Sequence, residues 1–238
     1  MDFQAIELSV KKLKRTLYMS RYPSPGVVLD VPGFDEKMTR LNAFLRRVQE
    51  RIRRANSRQR ARDHAEKMRL PLSLVRDGIA AGKTFMAFDV ERSRDNVTKE
   101  VGVTLWKDGV FRSFNYRIEG SPFKFKTRFG FGKTTMVADA AKLASILIAH
   151  GETADFYVGH SISIDISHLQ SKGIEMPFRS VIDTFWLAGG WPEIFGEDGN
   201  RRLEDLARHF GITADRPHNG GNDARYNMEV LLAMAANL

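Results

Sequence analysis

Five residues of this chain have the types and settings that phosphate chemistry needs. Asp89 and Glu91 lie two apart, Asp165 and Asp223 follow far downstream, and His218 precedes Asp223 by five. Carboxylates are hard oxygen donors. Divalent cations such as magnesium take a few of them and complete their shell with water and substrate phosphate. A histidine on a loop suits a general base, since a free imidazole with a pKa of about 6.5 is mostly neutral at cellular pH. Four carboxylates and one such base are enough to hold two divalent cations beside a scissile phosphate.

Each of these residues needs an element to aim it. TFMAFDVE reads as a buried strand that turns polar at its end. Strand residues two apart project from one face, so Asp89 and Glu91 point to one spot. VTKEVGVTLW and VFRSFNYRI read as two further strands divided by the turn Lys107-Asp108-Gly109, which predicts an antiparallel meander. KFKTRFGFGK is a basic loop bearing glycines and aromatics. TTMVADAAKLASILIAH predicts an amphipathic helix, ADFYVGH a buried strand, SIDISHLQSKG a helix closed by Gly173, and FRSVIDT a strand. RLEDLARHFG and NDARYNMEVLLAMAANL predict two last helices. Three strands followed by alternating helix and strand imply an α/β fold, a mixed sheet with helices on both faces. Asp165 then lies in the first turn of a helix after the strand ending at Gly159-His160, and Asp223 opens the last helix.

Plainer readings stand beside these. Strand-end carboxylates need no function, Asp165 could simply complement a helix dipole, and Asp223 could cap its helix with His218 a surface residue. His160 and His168 read as structural, one closing a strand and the other lying on a helix.

The 238 residues suit one large domain or a domain with an appendage, and 42% hydrophobic content is enough for a core. Composition shifts near residue 80. Ahead of it lie Pro23, Pro25 and Pro32 and then a long charged stretch, in which Leu41, Phe44, Leu45, Val48 and Ile52 recur at helical spacing after a candidate N-cap at Asp35. Residues 1–80 therefore read as a basic helical N-terminal extension, and 81–238 as the main domain. The extension's arginines form either a solvated face or an arm that contacts phosphates, and its basic helix is also a possible site for a protein partner. A formal charge of +8 favours polyanionic partners. With no cysteine, disulfides, thiolate zinc sites and cysteine nucleophiles are excluded. No apolar run approaches a membrane span, so no membrane partner is expected. The amino end lacks the apolar core of a secretory signal but is amphipathic and basic, which leaves cytoplasm, nucleus and mitochondrion open for an intracellular protein.

From about Thr84 to the C-terminus the chain resembles the DEDDh family of 3′-to-5′ exonucleases, within the ribonuclease-H-like superfamily. The first motif is FDVE, the second GHSISIDISHL, and the third His218-Asn-Gly-Gly-Asn-Asp223. The tyrosine subclass of the superfamily would want a tyrosine four before Asp223, where Asn219 stands. LEDLARHFGI before the third motif is similar to a helix usual in the family, and HNGGNDA is similar to a branch found in fungi in which HNAGNDA is common.

The resemblance implies a ribonuclease-H-like fold and a two-metal mechanism. Asp89, Glu91, Asp165 and Asp223 would bind two Mg2+ or Mn2+ ions, His218 would take the proton of the attacking water, and a nucleoside 5′-monophosphate would leave from a 3′ end. The partner would be single-stranded nucleic acid or the 3′ end of RNA or DNA. The terminal nucleotide would lie against Val90, Arg92, Ser161 and Ile164. Phe125, Arg128, Phe129 and Phe131, interleaved with Lys124, Lys126 and Lys133, would either stack bases or pack under their loop. Two other classes remain: a nucleic-acid-binding or scaffold protein on an exonuclease fold within a larger ribonucleoprotein, and a transferase or endonuclease of the same superfamily.

Overall fold

The structure is a computed structural model that describes residues 3–21, 32–120, 128–190 and 202–237. Lys124, Phe125 and Lys126 lie outside the described residues, as do Pro23 and Pro25. The chain forms two compact units, Met1–Asp63 and His64–Leu238. The division falls earlier than the change of composition near residue 80 because Leu72 and Val75 are buried in the core of the second unit.

The first unit contains helix α1 (Phe3–Arg21) and the start of helix α2 (Phe34–Ala80). The two run antiparallel. Gln49 donates to Glu7 at 3.1 Å near one end, and Arg21 donates to Asp35 at 3.1 Å near the other. Val10, Phe34 and Val48 are buried. Helix α2 begins at Phe34, so Asp35 lies in its first turn rather than capping it.

The second unit is built on a six-stranded mixed sheet of order β4-β3-β2-β1-β5-β6. Strands β1 (Phe85–Arg92), β2 (Thr98–Lys107) and β3 (Val110–Ile118) form the expected antiparallel meander. Strands β4 (Thr134–Val137), β5 (Phe156–Gly159) and β6 (Ser180–Asp183) add in parallel to β3, β1 and β5 respectively. The expectation that residues 134–150 form one helix is corrected here. Thr134–Val137, rich in β-branched side chains, is an edge strand, and Asp139 restarts the chain by capping helix α3 (Ala140–Glu152), accepting from the Lys142 amide at 2.7 Å.

Helices α4 (Ile162–Ser171), α5 (Thr184–Leu187), α6 (Leu203–His209) and α7 (Gly220–Ala236) complete the unit. The core has two layers, one on each face of the sheet. Phe85, Ala87 and Trp106 face Leu206, Met228 and Leu231 of α6 and α7, whereas Met86, Phe88 and Val90 face Leu143, Leu147 and Leu169 of α3 and α4. This is the ribonuclease-H-like α/β arrangement. Among the described residues, no helix is long and apolar enough to cross a membrane.

Candidate active site

The alternation of β1 decides where its carboxylates point. Phe85 and Ala87 face α7, so Asp89 and Glu91, two and four residues beyond Ala87, face the same side past the end of the apolar core. Strand β1 pairs with β5 only through Ala87, and on its other side Asp89 stands opposite Gly102 and Glu91 opposite Glu100.

Asp165 is delivered by the turn after β5. Ser161 takes the left-handed conformation at φ 61°, and α4 starts at the next residue. The free amides at that helix start are met by Asp183 at the end of β6, whose carboxylate accepts from Ser161 at 2.9 Å and from Ile162 at 3.2 Å. Asp165 itself therefore has no capping work to do. It is buried at 8% exposure in the first turn, and desolvation raises its pKa to about 7. Arg92 and the Val90 backbone oppose that rise, while Glu91 and Asp183 add to it.

The third motif is pinned by residues distant in sequence. Helix α7 starts at Gly220, three residues before Asp223, and its cap is Asn219, which accepts from the Asn222 amide at 3.2 Å. Glu100, fully buried on β2, holds this corner with all of its carboxylate. One oxygen accepts from Asn219 Nδ2 at 2.8 Å and Gly220 N at 2.7 Å; the other accepts from Asn115 Nδ2 at 3.2 Å and Arg117 Nε at 2.8 Å. The Gly221 amide donates to Asn115 Oδ1 at 3.1 Å, and Asn222 Nδ2 donates to the carbonyls of Arg128 and Arg216 at 3.0 and 2.9 Å. The two glycines are required by close approach. A Cβ on Gly221 would lie 2.7 Å from the Phe129 ring and 2.8 Å from Asn115 Cβ, and one on the facing Gly102 would overlap the Gly220 carbonyl.

His218 is left-handed at φ 61° and donates its amide to Asp223 Oδ2 at 2.9 Å. Its imidazole is 79% exposed, with Nε2 3.6 Å from Glu204 Oε1. Ligand atoms of Glu91, His218 and Asp223 lie within 4.8 Å of one another.

The electrostatics join all four acids. Burial, then Asp223, Asp165, Glu91 and Glu100, push Asp89 well above the usual carboxylate range. Burial and Glu100 raise Glu91, against His218 and Lys99. Asp223 is pushed to about 8 by burial and by Glu91, Glu204 and Glu100, against the His218 amide. Carboxylates held together away from water favour either protons or a cation, and an all-oxygen set of this kind fits a hard divalent ion. A cleft of about 570 Å³ lies over the group, lined by Asp89, His218 and Asp223 together with His160, Ser161 and Phe185.

Residues 118–234 match the protein family described as DNA polymerase III subunit epsilon-like, C-terminal domain, of DEDDh type. That match, together with the fold, supports assigning the domain to the DEDDh exonuclease family. A curated relative, described as an uncharacterized nucleolar protein of Schizosaccharomyces pombe, is 29% identical over 166 residues, covering 63% of this chain and 68% of the relative.

Within the domain the other expected contacts separate. Ser161 lines the main cleft, but Arg92 and Ile164 line a neighbouring groove with Asn96, Ser163 and Ser167. The Val90 side chain is buried in the core, leaving only its backbone near the carboxylates. Arg128 is exposed, while Phe129 packs beneath its loop at 3% exposure and Phe131 meets Phe129 and Tyr226 edge-on. His168 is structural, with its ring nitrogens 2.8 Å from Thr98 Oγ1 and 3.0 Å from Asn96 Oδ1. His160 also has a structural tie, to Thr184 at 3.0 Å, yet it lines the cleft. Sequence reasoning missed Glu100, Asn115, Phe185 and Glu204. The only local sign of Glu100 was an acid inside an otherwise apolar strand, in KEVGVTLW.

Proposed function

We propose that the protein is a metal-dependent 3′-to-5′ exonuclease that releases nucleoside 5′-monophosphates from RNA or DNA. The observation that carries this reading is the gathering of Asp89, Glu91, Asp165 and Asp223 into mutual electrostatic reach, with His218 beside Glu91 and Asp223, in a DEDDh domain. Two magnesium or manganese ions held by the four carboxylates would supply the positive charge that steadies the phosphate and its attacking and leaving oxygens.

The chain's own residues do the rest. His218 takes a proton from the attacking water as oxygen bonds to the terminal phosphorus. The bond from phosphorus to the 3′ oxygen of the preceding nucleotide breaks, and that oxygen collects a proton from solvent. Glu204 Oε1 stands 3.6 Å from the imidazole Nε2. The hydrogen bond from the His218 amide to Asp223 keeps the base beside the carboxylates while its exposed ring stays free to approach. Ser161 and Phe185 line the space a terminal nucleotide would occupy, and Arg92 offers a cation in the adjoining groove. The nucleolar description of the fission-yeast relative supports an intracellular, nuclear setting.

The test is digestion of 5′-labelled single-stranded RNA and DNA, each with a free or blocked 3′ end, in manganese, magnesium or chelator. A ladder shortening from the free 3′ end is expected only with metal. Asp89→Ala should abolish it, and His218→Ala should slow it by roughly 10²–10⁴-fold, the usual share of general-base catalysis. Absence of digestion of every substrate in manganese would refute the reading. Metal-independent binding that survives Asp89→Ala would then favour a scaffold role.

A further inference from the structure

The basic character of this protein is confined to one of its units. Residues 1–63 hold 15 lysines and arginines against seven aspartates and glutamates, a net of +8, whereas residues 64–238 hold 22 of each. The unit with the DEDDh carboxylates therefore has no net attraction for a polyanion, and its cleft concentrates negative charge. The helical unit has all of the excess.

That excess is not neutralised within the unit. The described acids there are already engaged: Glu7 with Lys11, Asp35 with Arg21, Glu36 with Arg40, and Glu50 with both Arg53 and Arg54. These are exposed pairs of small energetic value, and they leave more cations than acids. Arg47, Arg51 and Arg54 recur at i, i+4 and i+7 along α2, a spacing that sets them on one face, and all three are exposed. The unit's cations are also mostly guanidinium groups, 11 arginines to four lysines. Arginine's planar fork matches phosphate oxygens in pairs, which a lysine ammonium cannot do. An ordinary solvated helix face needs neither the arginine bias nor the segregation of charge.

We infer that the N-terminal helical unit is a phosphate-backbone binding module. It holds the body of a single-stranded nucleic acid through arginines that include Arg47, Arg51 and Arg54, while the net-neutral unit takes the 3′ end. The inference rests on the proposed exonuclease reading only for the identity of the polyanion. On one chain the two sites raise each other's effective concentration of substrate, so a long strand is captured more tightly than a short one. Contacts to phosphate carry no base preference, and they weaken steeply with salt.

The experiment uses full-length protein with Arg47, Arg51 and Arg54 all changed to glutamine, a comparably good helix former. Binding of a fluorescent single-stranded 20-mer is measured in chelator across a salt series, so no cleavage is needed. Loss of three phosphate contacts should lower the slope of log affinity against log salt by about 2, at about 0.7 per contact. Affinity at moderate salt should fall at least about tenfold. Unfolding midpoints of the two proteins should agree, because none of the three side chains is buried. If the exonuclease reading holds, turnover of a dinucleotide should be unchanged while KM for the 20-mer rises. An unchanged salt slope would overturn the proposal. So would loss of binding to anionic phosphatidylserine vesicles with nucleic-acid binding intact, which would make the unit a membrane-surface module.

Discussion

Glu100 makes a sharp prediction because its carboxylate accepts four hydrogen bonds and is fully buried. Glu100→Gln keeps the shape and one oxygen. If that oxygen stays with Asn219 and Gly220, the new NH2 faces Asn115 Nδ2 and Arg117 Nε, and both lose their bond to this side chain, although Asn115 Nδ2 keeps Thr134 Oγ1 at 3.1 Å. If the amide flips, the corner before α7 loses its acceptor instead. Two bonds are lost either way. One orientation takes the carboxylate away from a partly buried arginine, and hydrogen bonds to charged groups are worth about 1.5–3 kcal/mol each. A total of about 3–5 kcal/mol follows, the same range found on breaking buried ion pairs. In a protein of this size each kcal/mol moves Tm by about 2–4 °C, so calorimetry should show a fall of roughly 6–20 °C. Because the same corner carries His218 and Asp223, the variant should also need more manganese for half-maximal activity at temperatures where it remains folded. Adding Arg117→Met should recover part of the lost stability by removing the cation that faced the carboxylate, and a double-mutant cycle would measure that coupling. A Tm within about 2 °C of the parent, with the manganese dependence unmoved, would show that the third motif does not depend on this carboxylate.

Other outcomes follow from the same geometry. In the metal-free protein, Asp165 and Asp223 are raised from 3.8 to about 7 and about 8. The folded state therefore binds more protons than the unfolded chain between about pH 4 and about pH 8, and stability should fall as pH rises through that window. At about 1.4 kcal/mol per pKa unit the two shifts set an upper limit on the loss of the order of 10 kcal/mol. Thermal unfolding in chelator should show this slope and added manganese should flatten it; a slope of opposite sign would contradict the arrangement. Gly102→Ala should destabilise by about 1–3 kcal/mol or more, because the added methyl overlaps the Gly220 carbonyl, and denaturant unfolding would measure it. Thr184→Val keeps the volume but removes the hydroxyl bonded to Asn227 at 2.7 Å and to His160 at 3.0 Å. It should cost about 1–3 kcal/mol in the same assay.

Local pattern was enough to find the carboxylates. Asp89 and Glu91 could be placed on one face because strand alternation is a local property, and Asp165 could be put in a first turn because a strand and a helix meet there. Three things were not local. Residues 134–137 looked helical because Asp139 is the only cap signal between them and the helix, with no glycine or proline to mark a break, and the strand is held by pairing with β3. Helix α7 begins at Gly220-Gly221, residues of low helix propensity, since close packing against β2 and β3 outweighs propensity there. Glu100 meets Asn219 across 119 positions of sequence, and no window of periodicity can reveal a contact of that span.

The pairing of Glu91 with Glu100 explains how one strand pair separates structural from chemical charge. The two glutamates stand directly opposite on β1 and β2, on the face toward α7, where like charges repel. They are not equivalent. Arg117 lies beside Glu100 and meets it at 2.8 Å, and three further donors complete its shell, so Glu100 is satisfied by the protein alone. Glu91, one strand nearer the cleft, keeps a raised pKa, with His218 and Lys99 only partly offsetting its neighbours. Moving the arginine to Glu91 would fill the position proposed for a cation and would leave the corner before α7 with an uncompensated buried acid. The fold therefore assigns Arg117 to the acid that holds the third motif. The electrostatic deficit is left at Asp89, Glu91, Asp165 and Asp223, where only protons or an added cation can relieve it.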